Sequence, residues 1–427
     1  MNIEILVPTI LYAMSYVLLL CYLAKTRANY VAIYIVSIWV VSSFFAIFFQ
    51  ATVHTLYGDS ISYLPYAFMM VCFLITIMPI IKFGNIADHN KNDITPDILI
   101  KVMWFFIIIS IIPFIENLRQ VVLYTSATNG DAIADMYDSK MYGGGFKITW
   151  LSSVGMLFNS IDGIFLTFLF FTPFYLLTQP NLNKVFSVLM FLPVGTHLLF
   201  QIACSGRGTV VMFILVSLFF LLLFKNRIPQ KRLRMVKVGG LSIIGLLVSA
   251  MLIITFARKE ATNAGDETSV FLGYYIAKSH LDFNSNLWNI PVYMEGDNTL
   301  SFFKDLIGLE TFSSFLKKEA FWGRRIGVPP GYFYTYIGDT FMDFGPLLTI
   351  IIFSICSVCA CRFFSSNRGM PVLRLFFFYA YSEIILMGWS INYFKTFDGT
   401  RNLLISAIFL AIIIKLSKKN KWKKKRV

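Results

Sequence analysis

The sequence predicts an all-α, polytopic integral membrane protein with about 11 transmembrane helices, within a range of about 10–12. Hydrophobic residues make up 57% of the 427 residues and charged residues only 14%, whereas a soluble domain carries about 25% charged residues. The apolar residues recur in blocks of roughly 20, the length that crosses the hydrocarbon core. A helix satisfies its own backbone in lipid. The chain, 1–427, is therefore interpreted as a single membrane domain.

Each apolar block defines one predicted span. The stretch 140–160 also suits a short re-entrant helix, and the connection 205–208 is very tight, so the count stays open by one. The eleven predicted spans are 5–24, 30–50, 61–81, 99–115, 157–178, 185–204, 209–224, 238–257, 344–361, 374–393 and 402–415.

The charged residues indicate the orientation of these spans. One side of the topology carries 23 basic and 3 acidic residues, and the other side carries 14 basic and 20 acidic residues. Because basic connections are retained in the cytoplasm, segments such as 225–237 are predicted to be cytoplasmic. The basic tail, 416–427, then lies against anionic lipid, which is favoured over binding to nucleic acid. The N-terminus is predicted outside and the C-terminus inside.

Two long connections, 116–156 and 258–343, fall on the outer side of this topology. The second has 86 residues, and loops of such length in compact proteins are usually functional. The chain shows neither a repeat at fixed period nor the inverted duplication of many transporters. The chemistry is therefore expected in the outer loops.

The segment Ser205-Gly206-Arg207-Gly208 stands directly before the predicted span that starts at Thr209. The glycines let the backbone approach a ligand closely, and the helix that follows presents free N–H groups and a positive dipole end. Arg207 adds a full positive charge, so the segment favours an anion site. The alternative is a tight hairpin with a snorkelling arginine.

Further arginines lie on the outer side, where the positive-inside pattern disfavours basic residues. A planar guanidinium binds phosphate oxygens in a bidentate manner, which a lysine does not. A cluster of such groups at the outer surface suits a lipid-linked diphosphate. The residues predicted to bind it are Gly206, Arg207, Gly208, Arg258, Arg324, Arg325 and Arg401.

Three residues are predicted as candidates for a catalytic base. His280 comes first because a neutral imidazole takes a proton from a hydroxyl near pH 7, and Asp282 and Asp339 are its substitutes. Asp343 competes with them, although Asp343 with Gly345 equally suits a helix cap.

Two further polar residues lie within predicted spans. His197, one turn before Gln201, suits either a cavity near the outer arginines or a buried hydrogen bond. Glu383 lies near the middle of a span, where an ionisable group is costly and by default indicates function.

Cys356 and Cys359 form a CxxC pair without a nearby histidine, so packing is favoured over metal binding. No metal or cofactor is expected.

Taken together, these features resemble the Wzy-type O-antigen and capsule repeat-unit polymerases. The resemblance rests on the number of spans, the SGRG motif that opens a middle helix, the large outer loop and the run 329–345, PPGYFYTYIGDTFMDFG, which leads into a late span. The arrangement of spans and loops is similar over most of the chain, whereas the motifs cover only a short part of it. The chain lacks the repeated Arg-to-Gly spacing that two loops share in some members.

The resemblance implies a metal-independent glycosyltransferase on the periplasmic face of the bacterial inner membrane. Such enzymes transfer a growing glycan from undecaprenyl diphosphate to an incoming lipid-linked oligosaccharide repeat unit, and so make O-antigen, capsule or exopolysaccharide. By position, Arg207 matches the middle-loop arginine, and Arg324 or Arg325 the large-loop arginine. A chain-length regulator and a flippase are the implied protein partners.

Three other functions stay open from the sequence. The first is an O-antigen ligase or another lipid-linked glycan transferase. The second is a flippase or transporter for the same lipid, and the third is a non-catalytic partner in polysaccharide assembly.

Overall fold

The computed structural model describes residues 3–52, 61–87, 94–126, 148–204, 208–240, 245, 249, 276–309, 311–312, 315–330, 334–365, 369–390 and 392–424. These residues form helices and turns, and no β-strand occurs among them. The helices are α1 (Val7–Lys25), α2 (Tyr30–Thr52), α3 (Tyr63–Ala87), α4 (Pro96–Ser126), α5 (Ser153–Ile164), α6 (Leu166–Leu177), α7 (Lys184–Leu189), α8 (Leu192–Ala203), α9 (Gly208–Leu223), α10 (230–240), α11 (276–282), α12 (Ser301–Leu306), α13 (Phe315–Ile326), α14 (Tyr336–Phe364), α15 (Val372–Met387) and α16 (Phe397–Lys424).

Seven helical stretches of the described chain are long and apolar enough to span a membrane. The bent pair α5 and α6 raises the number to eight if it forms one span. These helices confirm the prediction of an all-α, membrane-embedded protein. The seven stretches are Glu4–Lys25, Tyr30–Thr52, Tyr63–Asn85, Pro96–Leu123, Lys184–Ala203, Tyr336–Phe364 and Phe397–Lys418.

The predicted count of eleven spans stays a prediction. The predicted spans 209–224 and 374–393 correspond to α9 and α15, which have 16 residues each. Most of the predicted span 238–257 lies outside the described residues.

The described chain divides into two compact units. The first unit comprises 1–89, 266–370 and 377–401. Within it α1 packs along α2, and α14 packs along α3. Its core is aromatic: Trp39 is fully buried and donates from Nε1 to the carbonyl oxygen of Ile385 at 2.9 Å.

The second unit comprises 90–265, 371–376 and 402–427. Within it α4 packs against α5 and α8. The guanidinium of Arg232, on α10, donates to a series of main-chain carbonyl oxygens that follow the end of α6. These acceptors are Leu177, Gln179, Pro180 and Leu182.

Helix α14 differs from the predicted span 344–361 because it begins at Tyr336. Its N-terminus is capped by Thr335, whose hydroxyl accepts from the backbone N–H of Gly338 at 3.1 Å. The helix is broken at Gly345, whose φ of 71° and ψ of −178° are not helical. Polar residues and this glycine lower the hydropathy of the first turns of the helix, so the hydropathy pattern assigns those turns to a loop. The predicted loop 258–343 therefore ends in a helix.

The predicted span 157–178 is also not a single straight helix. It is the pair α5 and α6, which are bent by 70° across Phe165. Helix α4 runs to Ser126, well beyond the predicted end at 115, so the predicted loop 116–156 begins with helix. The residues 127–147 of that loop lie outside the described residues.

Candidate functional site

A set of acidic and lysine side chains meets within the first unit, where residues 297–304 and Lys318 lie against the first turns of α14. We call it the acid–lysine cluster. It contains three carboxylates, three ammonium groups and one amide, so its formal charges balance. Its members are Asp297, Asn298, Lys304, Lys318, Asp339, Asp343 and Lys395.

Asp339 is the most deeply buried acid of the cluster, with 0% of its surface exposed. Its Oδ1 atom accepts from the ammonium of Lys395 at 2.7 Å and from Nδ2 of Asn298 at 3.3 Å. Its Oδ2 atom has no hydrogen-bond partner in the described part of the chain. An orphaned buried carboxylate oxygen is costly in a folded protein. It is therefore the atom of this cluster that is set up to accept a proton or a hydroxyl donor.

Asp343 has a different role, because its carboxylate binds main-chain groups. Its Oδ1 atom accepts from the N–H of Asn298 at 2.9 Å. Its Oδ2 atom accepts from the N–H of Thr299 at 2.7 Å and from its hydroxyl at 2.5 Å. Asp343 thus fixes the turn 298–299 against α14. The cap with Gly345 at the start of the predicted span 344–361 stays a prediction, and the side chain that caps the N-terminus of α14 is Thr335.

Helix α13 closes the cluster from another direction. Trp322 donates from Nε1 to Oδ2 of Asp297 at 2.8 Å, and Lys304 pairs with the other oxygen of that carboxylate. Lys318 donates to Oδ1 of Asn298 at 3.2 Å. Burial lowers the pKa of Lys318, and the nearby charge of Lys395 lowers it further. The cluster therefore contains a lysine that gives up its proton more readily than an exposed lysine does.

His280, the first candidate for a base, is completely enclosed. It has 0% exposure, and its ring contacts Tyr12 and Trp39. Its Nδ1 atom lies 3.0 Å from the hydroxyl of Tyr12, and its Nε2 atom lies 2.9 Å from the hydroxyl of Ser42. Because both nitrogens are bonded and no carboxylate contacts the ring among the described residues, the site favours a neutral imidazole. The geometry suits an anchor for α11 better than a base.

Asp282, the second candidate, is engaged locally. Its Oδ2 atom lies 2.5 Å from the ammonium of Lys278, one helical turn earlier, and its Oδ1 atom accepts from Asn286 at 3.3 Å. Only 3% of its side chain is exposed. Of the three predicted bases, Asp339 alone has a carboxylate oxygen without a partner among the described residues.

The predicted phosphate-binding arginines that the structure describes lie at surfaces. Arg324 and Arg325 are exposed in the last turn of α13, and the guanidinium of Arg325 lies 3.8 Å from the ring centroid of Phe321. Arg401 forms an ion pair with Asp398 at 2.8 Å. These arginines are accessible to a ligand, but no contact in the described chain joins them to Asp339.

Other predicted site residues lie apart from the cluster. Arg207, Gly206 and Arg258 are outside the described residues. Gly208 is exposed at the start of α9. The Nε2 atom of His197 lies 3.5 Å from the amide nitrogen of Gln201, one turn later.

Glu383 occupies the position in α15 that the sequence singled out. It is 5% exposed and bonds with Tyr379, one turn earlier. Its Oε2 atom has no hydrogen-bond partner in the described part of the chain. The residue is therefore a buried acid in an apolar helix, without an ion pair among the described residues.

Sequence reasoning did not find Asn298, Lys318 and Lys395 as members of a site. Lys395 carried a usable signal, because it is a lysine beside a helix end that the sequence predicts to be outer, where the positive-inside pattern disfavours it. Asn298 and Lys318 carried none, since polar residues are ordinary in a long loop.

Known proteins give no further guide to this site. No protein-family model matches the chain, and neither a curated protein nor a solved structure matches it. The class that the fold defines is therefore an all-helical, membrane-embedded protein with a buried acid–lysine cluster.

Proposed function

We propose that the protein is a glycosyltransferase of the bacterial inner membrane that polymerises undecaprenyl-diphosphate-linked oligosaccharide repeat units on the periplasmic face. In this proposal the chain has eleven spans, a periplasmic N-terminus and a cytoplasmic C-terminus. The observation that carries the proposal is Asp339, a buried carboxylate with one unpartnered oxygen beside two lysines. The charge distribution of the sequence assigns this end of α14 to the outer side.

Asp339 supplies the base in this mechanism. Its Oδ2 atom accepts the proton of a sugar hydroxyl on the incoming lipid-linked unit, and the hydroxyl oxygen attacks the anomeric carbon of the growing glycan. The bond between that carbon and the diphosphate oxygen breaks, and undecaprenyl diphosphate leaves with the electron pair. Lys395 holds the carboxylate in place through Oδ1 and leaves Oδ2 free for this step.

Cationic groups stabilise the charge that develops on the leaving diphosphate. Lys318 stands in the cluster itself, and Arg324 and Arg325 stand on the exposed side of the same helix. Preplaced charges of this kind are usually the largest single contribution to catalysis. Arg207 and Arg258 are proposed as further diphosphate ligands on the sequence argument alone. The energy for the transfer is stored in the lipid-linked substrate, so the mechanism requires neither a metal nor a nucleotide sugar.

The proposed partners follow from the substrate. The lipid-linked oligosaccharide and the surrounding membrane lipids bind the protein directly, and a flippase supplies the repeat unit. A chain-length regulator is a further proposed protein partner. The proposal includes no nucleic acid.

The experiment is polymerisation by the purified protein in proteoliposomes. Lipid-linked repeat units extracted from cells that lack this protein serve as substrate, and the products are separated by size. A ladder of chain lengths supports a polymerase, whereas a single transfer onto an added acceptor supports the ligase alternative. Asp339→Asn is expected to abolish the ladder, while Asp305→Asn, a matched change at an exposed carboxylate, leaves it intact. Ladders of normal yield from Asp339→Asn refute the assignment of the base.

A second candidate, a flippase or transporter for the same lipid, is favoured by Glu383. A buried acid without an ion pair inside a membrane protein often lies on an ion path. Vesicles loaded with a fluorescent lipid-linked saccharide test this, because dithionite quenches only the outer leaflet. Protein-dependent quenching of the inner pool that Glu383→Gln abolishes supports transport. If the inner pool stays fluorescent in vesicles that contain the wild-type protein, the transport function is rejected.

A further inference from the structure

Helix α5 of the second unit is polar on its buried side and apolar on its exposed side. Its buried residues are Gly155, Asn159 and Asp162, whereas Val154 and Leu157 are exposed. The spacing of three and four residues puts the buried set on one face. A helix in a membrane protein that turns its polar face inward encloses a polar site against its neighbours.

Two oxygen atoms on this face lack partners. Asp162 is 0% exposed and Asn159 is 8% exposed. The Oδ1 atom of Asp162 and the Oδ1 atom of Asn159 have no hydrogen-bond partner among the described residues. Both are hydrogen-bond acceptors, and they lie one turn apart on the same helix. A cation, a proton or a water molecule would satisfy these two buried acceptors.

Helix α4 adds further oxygen atoms opposite this face. The hydroxyl of Ser110 donates to Oδ2 of Asp162 at 2.7 Å, which fixes the carboxylate and turns its other oxygen away. Pro113 lies inside α4, one turn beyond Ser110. Because proline has no N–H, the carbonyl of Ile109 lacks its usual intrahelical partner. The hydroxyl of Ser110 and the carboxylate of Asp162 thus bring together oxygen atoms, the ligand type that hard cations prefer.

The electrostatics of the position favour a cation. Asp162 lies in the last turn of α5, where the helix dipole is negative. No Lys or Arg within the described ranges forms an ion pair with it. The chain bends by 70° at Phe165, directly after this turn. The C-terminal ends of such broken helices bind sodium or protons in membrane proteins.

We propose that Asp162 and Asn159 bind a sodium ion between α4 and α5. One carboxylate with neutral oxygens matches a monovalent ion, because a single negative charge leaves a divalent ion uncompensated. The ion neutralises Asp162, occupies both unpartnered oxygens and ties the bent pair to α4. This site belongs to the second unit. The sodium proposal does not depend on the proposed glycan transfer.

The test measures binding of radioactive ²²Na⁺ to the purified full-length protein in detergent, against a background of N-methylglucamine. We expect saturable binding to the wild-type protein and none to Asp162→Asn, which keeps the shape of the side chain. Asn159→Leu removes one ligand and is expected to weaken binding about tenfold. Asp305→Asn, at an exposed carboxylate, is the matched control and is expected to bind as the wild type does.

Thermal unfolding supplies a second readout in case a variant folds poorly. Sodium is expected to raise the melting temperature of the wild-type protein in a saturable manner at constant ionic strength. The absence of saturable ²²Na⁺ binding to the wild type overturns the proposal, and so does equal binding to a folded Asp162→Asn. Stabilisation by low pH together with indifference to sodium also overturns it, since a proton then satisfies Asp162.

Discussion

The ring of Tyr293 lies directly against the α-carbon of Gly345. A Cβ atom at position 345 would stand 2.6 Å from Cζ of that ring, closer than real Cβ atoms approach their neighbours. The backbone at Gly345 also has a φ of 71° and a ψ of −178°, a conformation that is essentially restricted to glycine. Tyr293 therefore occupies the space that the missing side chain leaves, and the break in α14 depends on glycine for two separate reasons.

Gly345→Ala is expected to destabilise the protein by about 3 kcal/mol or more, because backbone strain and the clash with Tyr293 add. Gly308→Ala is the matched control. Gly308 also has a positive φ, 75°, but a Cβ atom there meets nothing within 4 Å, so only about 1 kcal/mol of strain is expected. Unfolding in detergent measures both variants. Equal losses of unfolding free energy in the two variants would show that the ring of Tyr293 moves aside without a free-energy cost.

Lys395→Met is expected to destabilise the protein by about 3 kcal/mol, because it leaves the buried carboxylate of Asp339 without its cation. Asp339→Asn combined with Lys395→Met removes both charges and is expected to regain most of that loss. A double-mutant cycle from unfolding measurements gives the coupling between the two residues. A coupling near zero would mean that Asp339 is already protonated in the folded protein.

Arg232→Lys is expected to cost about 2 kcal/mol, because an ammonium does not reproduce the planar fork that binds carbonyl oxygens after α6. Arg234→Lys is the control, since Arg234 is exposed two residues away on the same helix. Limited proteolysis within 178–183 is expected to accelerate in the first variant only. The same cleavage rate in both variants would remove Arg232 from this role.

His280→Phe is expected to lower stability by about 1–3 kcal/mol through the lost bonds to Tyr12 and Ser42. The rate of polymerisation by the folded variant is expected to stay close to that of the wild type, because both ring nitrogens already have hydroxyl partners and Asp339 takes the proton in the proposed step. Size-separated products, corrected for folded protein, measure this. General-base catalysis contributes about a hundredfold or more to a rate. A loss of that size in the His280→Phe variant would restore His280 as the base.

Lys318 is expected to set an alkaline limit on activity. Burial lowers the pKa of Lys318, so its positive charge is lost at a lower pH than that of an ordinary lysine, and support for the leaving diphosphate disappears as the pH rises through that value. Lys318→Arg keeps the charge and is expected to move the alkaline decline of the rate to higher pH. Lys317→Arg, at the exposed neighbour, controls for surface charge. Identical alkaline limbs in the two variants would exclude Lys318 from the site.

The sequence predicted the class of the fold because lipid-length apolar blocks leave the backbone few alternatives. The sequence analysis missed the break at Gly345 and the bend at Phe165. Hydropathy depends on composition, and neither the break nor the bend alters the hydropathy of its segment. Sequence reasoning also ranked His280 above Asp339. Residue type alone favours histidine as a base, whereas the proposal of Asp339 rests on its unpartnered oxygen. The hydroxyl partners of His280 come from distant parts of the chain.

The hydrogen bonds of His280 also set an order of assembly. Ser42 and Tyr12 belong to the first two helices, and His280 follows Ser42 by 238 residues. At a synthesis rate of about 5–20 residues per second, α1 and α2 enter the bilayer roughly 10–50 s before their polar partner is translated. During that interval the hydroxyl of Tyr12 retains the hydroxyl of Tyr16 as a partner, and the hydroxyl of Ser42 retains the carbonyl oxygen of Trp39, each within its own helix. The segment that carries His280 therefore completes the bridge between the two earliest helices, and a ribosome that stalls before residue 280 leaves that helical pair without it.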